Sequence, residues 1–351
     1  MEKNRQYGLD ILRIISMMGI IGLHIVVNGE SLLHVSSSIN LIFLSGMYVL
    51  CSCSVNTFAM LTGYLYAEKT GVRSVSLIKL LFITLLYSSL IFLVIRLWKP
   101  EWILVSWLHA VLPVLAGRYW YITGYVLLFV LIPYLNIILR KLDKGQFQAL
   151  LVLLLALLSV FSTAAVPADP FVVQAGYSPL WLVVCYLVGA YIRLYRSNVS
   201  RMRLWIALLV VDVAWLTATY YFYPNIIIHL INYNSPFMVL NATLLLSIFS
   251  RIRIPSAMGK LICSLSGAAF GVYILHSHIL IYDVMIAGNM GWIGQNSFIK
   301  CVGAFIGVVA GIYIVCWLID ILRSLLFKQT GLDKLLQRLG AWCDKLLKWN
   351  C

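Results

Sequence analysis

The chain has 351 residues, of which 62% are hydrophobic and only 11% are charged, and its net charge is +14. Soluble domains carry about a quarter charged residues, so this composition excludes an ordinary soluble fold and predicts an integral membrane protein. A mean hydropathy of +0.95 indicates the same class. The net charge would also suit a nucleic-acid-binding protein, and the positions of the basic residues along the chain decide against that class.

The apolar residues are gathered into long stretches. A helix needs about 20 mostly apolar residues to cross a bilayer. Ten stretches approach or exceed this length, and the eighth is the shortest. In chain order they are residues 9–28, 40–66, 77–97, 119–139, 147–166, 177–195, 204–223, 237–250, 263–287 and 298–327. The sequence therefore predicts an all-α, polytopic membrane protein with about ten transmembrane helices.

Lysine and arginine are distributed unevenly between alternate loops. If the N-terminus is cytoplasmic, the inside segments hold most of the 26 basic residues. The segments then predicted to lie outside are 29–39, 98–118, 167–176, 224–236 and 288–297. This alternation follows the positive-inside rule and predicts that both termini are cytoplasmic. The basic surplus then reflects topology, with anionic membrane lipid as its partner and no nucleic acid.

The segment between the third and fourth spans, residues 98–118, is rich in tryptophan. It contains Trp98, Trp102 and Trp107, with Pro113 near its end. Because tryptophan favours the headgroup zone of a bilayer, we interpret this segment as interfacial or re-entrant.

Known cofactor motifs are missing from the sequence. The eight cysteines form no CxxC pair, so the pattern predicts neither a zinc site nor a disulfide framework, and we expect no bound metal. The sequence also has no Walker motif, GxSxG, HExxH or Rossmann fingerprint.

The organisation along the chain predicts one membrane domain over residues 1–327, because loops are short and no change of composition marks a second domain. Residues 328–351 differ. Their leucines and a tryptophan recur at helical spacing, while Lys, Arg and Asp fill the other face. This pattern is typical of an amphipathic helix on the inner membrane surface; a partner-binding helix is the alternative.

Glycines recur at GxxxG spacing in the last two spans. Gly267 and Gly271 open the ninth span, and Gly303, Gly307 and Gly311 follow in the tenth. Such faces let helices approach closely, so we expect both to pack against other helices.

The first span carries three ionisable side chains. Asp10 and Arg13 are three residues apart and can pair on one helix. His24 lies eleven residues beyond Arg13, about three turns later on the same face and ~16 Å along the axis. Such groups usually face a cavity or a partner. The alternative makes Asp10 and Arg13 an interfacial anchor and His24 an interhelical hydrogen-bond donor.

Other polar groups lie in later spans. In the ninth, His276 should reach the depth of His24, and His278, two residues later on the same helix, should point almost the opposite way, so the two make a poor metal pair. The alternative for each of these two residues is an ordinary core histidine without a functional role.

Tyr64 ends the second span in a Thr-Gly-Tyr triplet. The fourth span opens with an aromatic-basic cluster that suits either an interfacial belt or a sugar-stacking platform; its members are Arg118, Tyr119, Trp120 and Tyr121.

Four motifs, in this order, resemble the acyltransferase-3 family of integral membrane acyltransferases. An Arg followed by ten residues and a His marks the first span, here Arg13 and His24 in LDILRIISMMGIIGLH. VNTFAMLTGYL is similar to a Phe-rich stretch ending in Ser-Gly-Tyr, with Thr62 replacing Ser. YWYITGYVLLFVLIPYLN is close to a Trp-Tyr motif of members that act on bacterial surface glycans. SGAAFGVYILH resembles the late Tyr-x-x-His motif, which places Tyr273 and His276.

The resemblance covers nearly the whole chain and implies a reaction. An acyl group, usually acetyl, moves from cytoplasmic acyl-CoA to a hydroxyl of an extracytoplasmic glycan or lipid-linked sugar. The protein would be multi-pass in a bacterial inner or plasma membrane, with acetyl-CoA as donor substrate. His24 would act as general base or form a covalent acyl-histidine. Tyr273 and His276 would orient His24 or stabilise the oxyanion.

The resemblance also implies two binding regions. Because coenzyme A is a polyanion, a cationic inner vestibule should hold it, with Asp10 positioning one of the cations. The residues assigned to this donor site are Arg13, Asp10, Lys69, Arg73 and Tyr64. Those assigned to the glycan acceptor are Arg118, Trp120 and Tyr121.

Two features depart from the family pattern. Some members have an Arg-x-x-Arg pair after the second span, where this sequence has Lys69, Arg73 and Lys79. Some members also carry an extracytoplasmic hydrolase-like domain. This sequence shows none, so one polypeptide would perform the whole transfer.

Two rival classes compete with an acyltransferase. A secondary transporter or a flippase of a sugar-linked substrate would also place ionisable residues at mid-depth, but the span-one motif is not repeated in the second half. A structural or sensory membrane protein is the third class. A homo-oligomer is compatible with all three.

Overall fold

The computed structural model describes residues 5–100, 107–165, 168–222 and 231–347. Helices make up 79% of the structure, and the described ranges contain no strand. The helices of five or more residues are α1 (Tyr7–Leu23), α2 (Ser38–Ser52), α3 (Ser54–Tyr66), α4 (Ser74–Trp98), α5 (Trp107–Val111), α6 (Trp120–Lys141), α7 (Lys144–Leu155), α8 (Pro179–Leu194), α9 (Arg201–Phe222), α10 (Pro236–Phe249), α11 (Gly259–Gly267), α12 (Ala269–His276), α13 (Gly291–Gln295), α14 (Phe298–Gln329) and α15 (Leu332–Leu347). Three π-helical segments are His24–Asn28, Ala156–Phe161 and Tyr282–Ile286.

Seven helical segments are long and apolar enough to cross a membrane. They are Tyr7–Asn28, Ser38–Tyr66, Ser74–Trp98, Trp120–Lys141, Lys144–Ala164, Gly259–His276 and Phe298–Gln329. Two further apolar helices, α8 and α10, are shorter, with 16 and 14 residues. The all-α, membrane-spanning fold is thus confirmed. Ten crossings and cytoplasmic termini stay predictions.

Each predicted apolar stretch is largely helical where the chain is described, with breaks at Cys53 in the second stretch and at Ala268 and Ser277 in the ninth. Parts of several predicted segments lie outside the described residues: 101–106 of the interfacial segment, 166 and 223 at the ends of two spans, 167 and 224–230 of two outside loops, and 1–4 and 348–351 at the two ends of the sequence.

The chain forms two compact units, each built from three stretches. The first unit comprises Met1–Ile20, Val49–Thr70 and Val130–Ser266, and the second comprises Ile21–Tyr48, Gly71–Phe129 and Gly267–Cys351. The first helix is shared, because its residues up to Ile20 belong to the first unit and those from Ile21 to the second. The two units interleave along the sequence, which explains why no composition change separates them.

In the first unit, α3 and α8 pack closely over most of their length. Glycines make this approach possible: a side chain at Gly63 would strike the Tyr186 carbonyl, and one at Gly189 would strike the Met60 carbonyl. A buried amide joins the same helices, because Asn56 Oδ1 accepts from Trp181 Nε1 at 3.0 Å. These contacts hold together the two helices, one of which carries Tyr64 in its last turn.

In the second unit, α4, α12 and α14 meet around a buried carboxylate. Asp320 Oδ1 accepts hydrogen bonds from the Tyr87 hydroxyl and from Arg323 Nε, both at 2.8 Å. Asp320 Oδ2 accepts from Arg323 Nη2 at 3.0 Å. We call Tyr87, Asp320 and Arg323 the Asp320 network. Gly271 of α12 lies against it, with Asp320 Cγ only 2.6 Å from the position of an added Cβ.

The predicted ninth span is interrupted. Helix α12 ends at His276, Ser277 forms a turn, and a new short helix begins at Ile279. His278 caps that helix, since its Nδ1 accepts the Leu280 N–H at 3.3 Å. The expectation that His276 and His278 share one helix is therefore wrong, because a side-chain cap replaces the helical hydrogen bonds at this point.

The GxxxG prediction is confirmed at one position only. Gly271 makes the close approach to Asp320. Among the described residues, nothing lies within 4 Å of a Cβ added at Gly267, Gly303, Gly307 or Gly311, so close packing there is not observed.

The tail forms helix α15, which docks on the start of α4. Lys79 Nζ and Asp333 Oδ1 pair at 2.6 Å, and Asp344 Oδ1 accepts the Ser74 N–H at 2.7 Å. The predicted amphipathic helix is present, and the structure shows that its acidic residues face α4.

Candidate functional site

The first helix changes character at His24. The α-helical hydrogen bonds end at Leu23, and His24 begins a π-helical turn that closes where the Gly29 N–H donates to the His24 carbonyl at 2.7 Å. Tyr282 begins a second π-helical turn in the same unit. Such turns are rare and occur frequently at functional sites. The two π-helical turns therefore indicate that the region around His24 is a candidate functional site.

The His24 ring is held by packing with two other rings. Its centroid lies 5.2 Å from that of His276 and 5.1 Å from that of Tyr282, with the Tyr282 ring nearly perpendicular. His24 Nδ1 is buried and has no hydrogen-bond partner among the described residues. The side chain as a whole is only half-buried. Because buried polar atoms are nearly always bonded, this nitrogen is a position where a bound molecule would find a partner.

The hydrogen bonds of His276 define its tautomer. His276 Nδ1 lies 2.6 Å from the Val272 carbonyl oxygen, which can only accept, so Nδ1 carries the proton. Nε2 then accepts from the Ser277 hydroxyl at 3.2 Å. His276 is buried and has both nitrogens engaged. It is therefore a ring held by hydrogen bonds at both nitrogens, against which His24 packs.

Tyrosine rings surround this histidine pair. The Tyr273 ring centroid lies 6.1 Å from that of His276, 6.0 Å from Tyr119 and 6.2 Å from Tyr121. The Tyr119 hydroxyl donates to the Ile274 carbonyl at 3.1 Å, which ties the start of the fourth span to α12. The structure thus brings together His24, His276 and Tyr273, the three predicted catalytic residues. Their chemical roles stay predictions.

The neighbouring His278 is engaged in structure. With Nδ1 accepting from Leu280, its Nε2 carries the proton and donates to Ser88 Oγ at 3.2 Å. This geometry agrees with the interpretation of His278 as an ordinary core histidine.

Two loops predicted to lie on the same side of the membrane are pinned together beside the site. Asn40 Nδ2 donates to the carbonyls of Gly294 and Asn296, at 3.0 and 2.7 Å. The Ser31 hydroxyl donates to the Met290 carbonyl at 2.7 Å. These bonds connect the segment that follows the first π-helical turn to the segment that follows the second.

The predicted acceptor residues separate in the structure. Tyr121 is buried, with its ring 5.6 Å from Trp120 and close to Tyr273 as described. Arg118 is exposed, and its Nη2 lies 2.9 Å from Nδ1 of His109. The aromatic pair therefore belongs with the histidine site, while the Arg118 guanidinium is engaged with His109.

In the first unit, Asp10 has more partners than the sequence suggested. It pairs with Arg13 as predicted, at 3.7 Å. Its shorter bonds come from Arg5 Nε and Nη2, at 2.8 and 2.9 Å, and from the Ser266 hydroxyl at 2.9 Å. Asp10 is the only carboxylate within 4.0 Å of Arg13 in the described ranges. Arg13 thus keeps guanidinium donors beyond this one contact, while Arg5 forms the bidentate pair.

The remaining predicted donor residues fall in both units. In the first, Tyr64 is buried beneath Arg193, whose guanidinium lies 5.4 Å from the ring centroid. Lys69 is exposed, with Nζ 3.9 Å from the Tyr66 ring centroid. In the second, Arg73 precedes α4 and lines a cavity of about 600 Å³ between α4 and α15.

Sequence reasoning missed several residues of these sites. Ser277 and Tyr282 follow the Tyr-x-x-His motif closely, but their contacts depend on a helix break that periodicity does not show. Arg5 lies five residues before Asp10 and would have been found by searching beyond the i+3 and i+4 positions. Ser266 is distant in sequence and carried no local signal.

Comparison with known proteins gave one match. A family model described as an acyltransferase domain matches residues 6–320. No curated protein and no solved structure matches the chain.

Proposed function

The chain belongs to the acyltransferase-3 family, and from this premise we propose that this membrane acyltransferase moves an acetyl or other short acyl group from cytoplasmic acyl-CoA to a hydroxyl of an extracytoplasmic glycan or lipid-linked sugar. The observation that carries the proposal is His24. It is an ionisable side chain in a membrane-spanning segment, it packs against a second buried histidine, and its Nδ1 is buried without a partner among the described residues. An ionisable group is costly to place in a membrane, and one that is found there usually belongs to a functional site.

The simplest route is direct transfer with His24 as general base. The neutral imidazole takes the proton of the acceptor hydroxyl while the oxygen attacks the thioester carbon. The tetrahedral intermediate then collapses, the carbon–sulfur bond breaks, and the leaving thiolate takes the proton from the imidazolium. Atoms and charges balance without a metal or a redox partner. A histidine suits both proton transfers because its ordinary pKa lies near neutrality.

A two-step route uses the same residue as a nucleophile. A nitrogen of the neutral His24 ring attacks the thioester, the carbon–sulfur bond breaks, and the ring N–H proton passes to the leaving thiolate, which leaves an acyl-imidazole. The acceptor hydroxyl then attacks the acyl group, the carbon–nitrogen bond breaks, and the hydroxyl proton returns to the imidazole. Peptide mass analysis after incubation with acyl-CoA alone distinguishes the two routes. An acetyl group on the His24 peptide supports the two-step route.

The neighbours of His24 divide the remaining roles. His276 donates from Nδ1 to the Val272 carbonyl, and its Nε2 is engaged with the Ser277 hydroxyl, so we assign it the role of supporting His24 by packing. Tyr273 carries a hydroxyl beside it and is our candidate for the oxyanion donor. Tyr121 and Trp120, next to Tyr273, are candidates to stack on the sugar.

The donor side rests on Arg13. Coenzyme A carries several phosphate charges, which favour a guanidinium with unused donors. Arg13 meets this requirement because Asp10 bonds mainly to Arg5 and Ser266. Tyr64, Lys69 and Arg73 remain proposed donor contacts.

The test is acyl transfer by the purified full chain, measured as thiol release from acetyl-CoA and as label incorporated into an envelope glycan extract. We expect His24→Ala to abolish both signals. His34→Ala is the matched control, because His34 is exposed and pairs with Glu30 at 3.3 Å. Full turnover by His24→Ala would overturn the proposal, and sugar transport without any thiol release would favour the transporter class.

A further inference from the structure

Helix α15 presents three distinct faces, and the first is docked on α4. Leu336 and Gly340 are buried there, and Gly340 lies against Val75. Both acidic residues of the helix are used on this face, Asp333 with Lys79 and Asp344 with the first N–H of α4. The position of α15 beside the start of a membrane-spanning helix is therefore fixed by specific bonds.

The second face is an exposed apolar stripe. Its members are Leu335, Leu339, Trp342 and Leu346, which are 52%, 43%, 61% and 61% exposed. At the geometry of an α-helix they lie within about 60° of one another. A stripe of this kind, in a helix whose mean hydropathy is low, is typical of a helix that lies in a membrane interface.

The third face is cationic. Lys334, Arg338 and Lys345 are all exposed and lie within about 40° of one another, about 90° from the centre of the apolar stripe. With the acids occupied at α4, the open side of α15 offers only positive charge next to apolar surface. That combination matches the boundary between acyl chains and anionic headgroups.

The connection to α14 sets where the helix sits. Helix α14 is membrane-spanning and keeps lipid-type exposed leucines, Leu322, Leu325 and Leu326, almost to its end at Gln329. Only Thr330 and Gly331 separate it from α15, and Gly331 adopts φ +73°, which turns the chain sharply. The start of α15 is thus held at the level where the exposed apolar surface of α14 ends.

We propose that α15 lies in the headgroup layer of the membrane that α14 crosses, with its apolar stripe in the acyl-chain boundary and its cationic face on anionic lipid. The occupant of the stripe is the bilayer itself. This choice follows from the charge next to the stripe and from the continuity with α14. The inference is independent of the proposed enzyme activity.

Site-directed spin labelling of the full chain in nanodiscs tests the proposal. Nitroxides at positions 335, 339, 342 and 346 should collide more often with oxygen, which concentrates in lipid, than with a water-soluble nickel chelate. Positions 334, 338 and 345 are matched controls on the cationic face and should show the reverse. A helical periodicity in the ratio supports the proposal.

Two outcomes of this experiment overturn it. Frequent nickel collisions at 339 and 342 would place the stripe in water. Nitroxides that are immobile and shielded from both reagents would show that protein covers the stripe, and dipolar coupling between labels would identify a second copy. Neither result depends on enzyme turnover, so failure here leaves the proposed reaction untouched.

Lipid composition tests the cationic face separately. Nanodiscs of phosphatidylcholine alone are compared with equal parts of phosphatidylcholine and phosphatidylglycerol. We expect the label at 342 to shift deeper with the anionic lipid, and the shift to disappear when Lys334, Arg338 and Lys345 are all replaced by Gln. Each removed cation should reduce the preference for anionic lipid by about fivefold. An identical depth in both lipids would remove anionic lipid from the proposal.

Discussion

Two polar clusters lie within or beside the membrane-spanning segments of the second unit, and they differ in how completely their groups are paired. In the Asp320 network, both carboxylate oxygens accept hydrogen bonds, and the positive charge of Arg323 lies directly on the negative charge. Around His24, ring packing replaces hydrogen bonding, and the buried Nδ1 has no described partner. Both clusters are expensive to place in a membrane.

The difference suggests how to separate structure from function among buried polar groups. A fully paired network offsets most of its own desolvation cost and holds helices in register. A buried polar atom left without a partner costs about 1–3 kcal/mol, and within the described ranges no hydrogen bond to His24 Nδ1 offsets that cost. We therefore assign the Asp320 network to the architecture and the His24 cluster to chemistry.

The largest expected effect is on turnover, at His24. Replacing a general base lowers the rate by about 10²- to 10⁴-fold. His24→Ala should do so while unfolding close to the wild-type temperature, because the ring makes no described hydrogen bond through its buried nitrogen. Thiol release and thermal unfolding in detergent measure the two quantities on one sample. A variant that unfolds easily but keeps its turnover would reverse our assignment.

The second effect is on stability, at Asp320. Asp320→Asn leaves the Arg323 side chain, which is only 16% exposed, without its counter-charge, and breaking one partner of a buried pair costs about 3–5 kcal/mol. We expect a clear drop in unfolding temperature, measured by the reaction of buried cysteines with a maleimide dye. Turnover per folded molecule should be kept. A folded Asp320→Asn protein without activity would place the network inside the functional site.

A matched pair strengthens that experiment. Asp333 and Lys79 also pair, but each side chain is 33% exposed, and exposed pairs contribute only about 0.2–1 kcal/mol. Asp333→Asn should therefore change stability little. The double variant Asp320→Asn, Arg323→Gln should recover part of the lost stability, because it removes the unpaired charge.

The same reasoning applies to the two arginines beside Asp10. Arg5 donates two hydrogen bonds to the Asp10 carboxylate, whereas Arg13 makes one longer contact with it at 3.7 Å. Lysine cannot reproduce the planar fork, and one charge-assisted bond is worth about 1.5–3 kcal/mol. Arg13→Lys should therefore weaken acyl-CoA binding by roughly ten- to a hundredfold, measured by calorimetry. Arg5→Lys should reduce stability instead, and equal donor affinity in wild type and Arg13→Lys would leave Arg13 as an anchor.

Gly271 tests whether the paired network really holds α12. An added Cβ would lie 2.6 Å from Asp320 Cγ, and overpacking of this kind costs about 1–3 kcal/mol. Gly271→Ala should lower the unfolding temperature. Gly307→Ala is the control, since nothing described lies within 4 Å of its Cβ position and alanine favours helix by about 1 kcal/mol. Similar losses at both glycines would mean that helix approach is not what Gly271 provides.

The sequence predicted much of this comparison and missed the rest for identifiable reasons. The length of the apolar stretches predicted the helical membrane fold, because that signal is local, and the charge alternation predicted a topology that stays a prediction. Helix rise predicted that His276 reaches the depth of His24, and the rings do meet at 5.2 Å. The break after His276 was missed because a side-chain cap does not disturb hydrophobic periodicity. The Asp320 network was missed because Tyr87 lies on a helix distant in sequence, and only the i+3 spacing of Asp320 and Arg323 on one helix hinted at it.

The smallest effect distinguishes two serine–histidine bonds of equal length. Ser277 donates to Nε2 of His276, and Nε2 of His278 donates to Ser88, each at 3.2 Å. Losing such a bond costs about 0.5–1.5 kcal/mol. In Ser277→Ala the Val272 carbonyl still fixes the His276 tautomer, but the ring that supports His24 loses one of its two restraints. Turnover should fall by about two- to tenfold with the acyl-CoA affinity unchanged.

In Ser88→Ala the lost bond belongs to a capping histidine, so the unfolding temperature should fall and turnover per folded molecule should not. Steady-state kinetics with thermal unfolding on both variants measures this contrast. If Ser88→Ala slows turnover as much as Ser277→Ala does, then complete pairing does not separate structure from chemistry in this protein, and His278 joins His276 as a residue that positions His24.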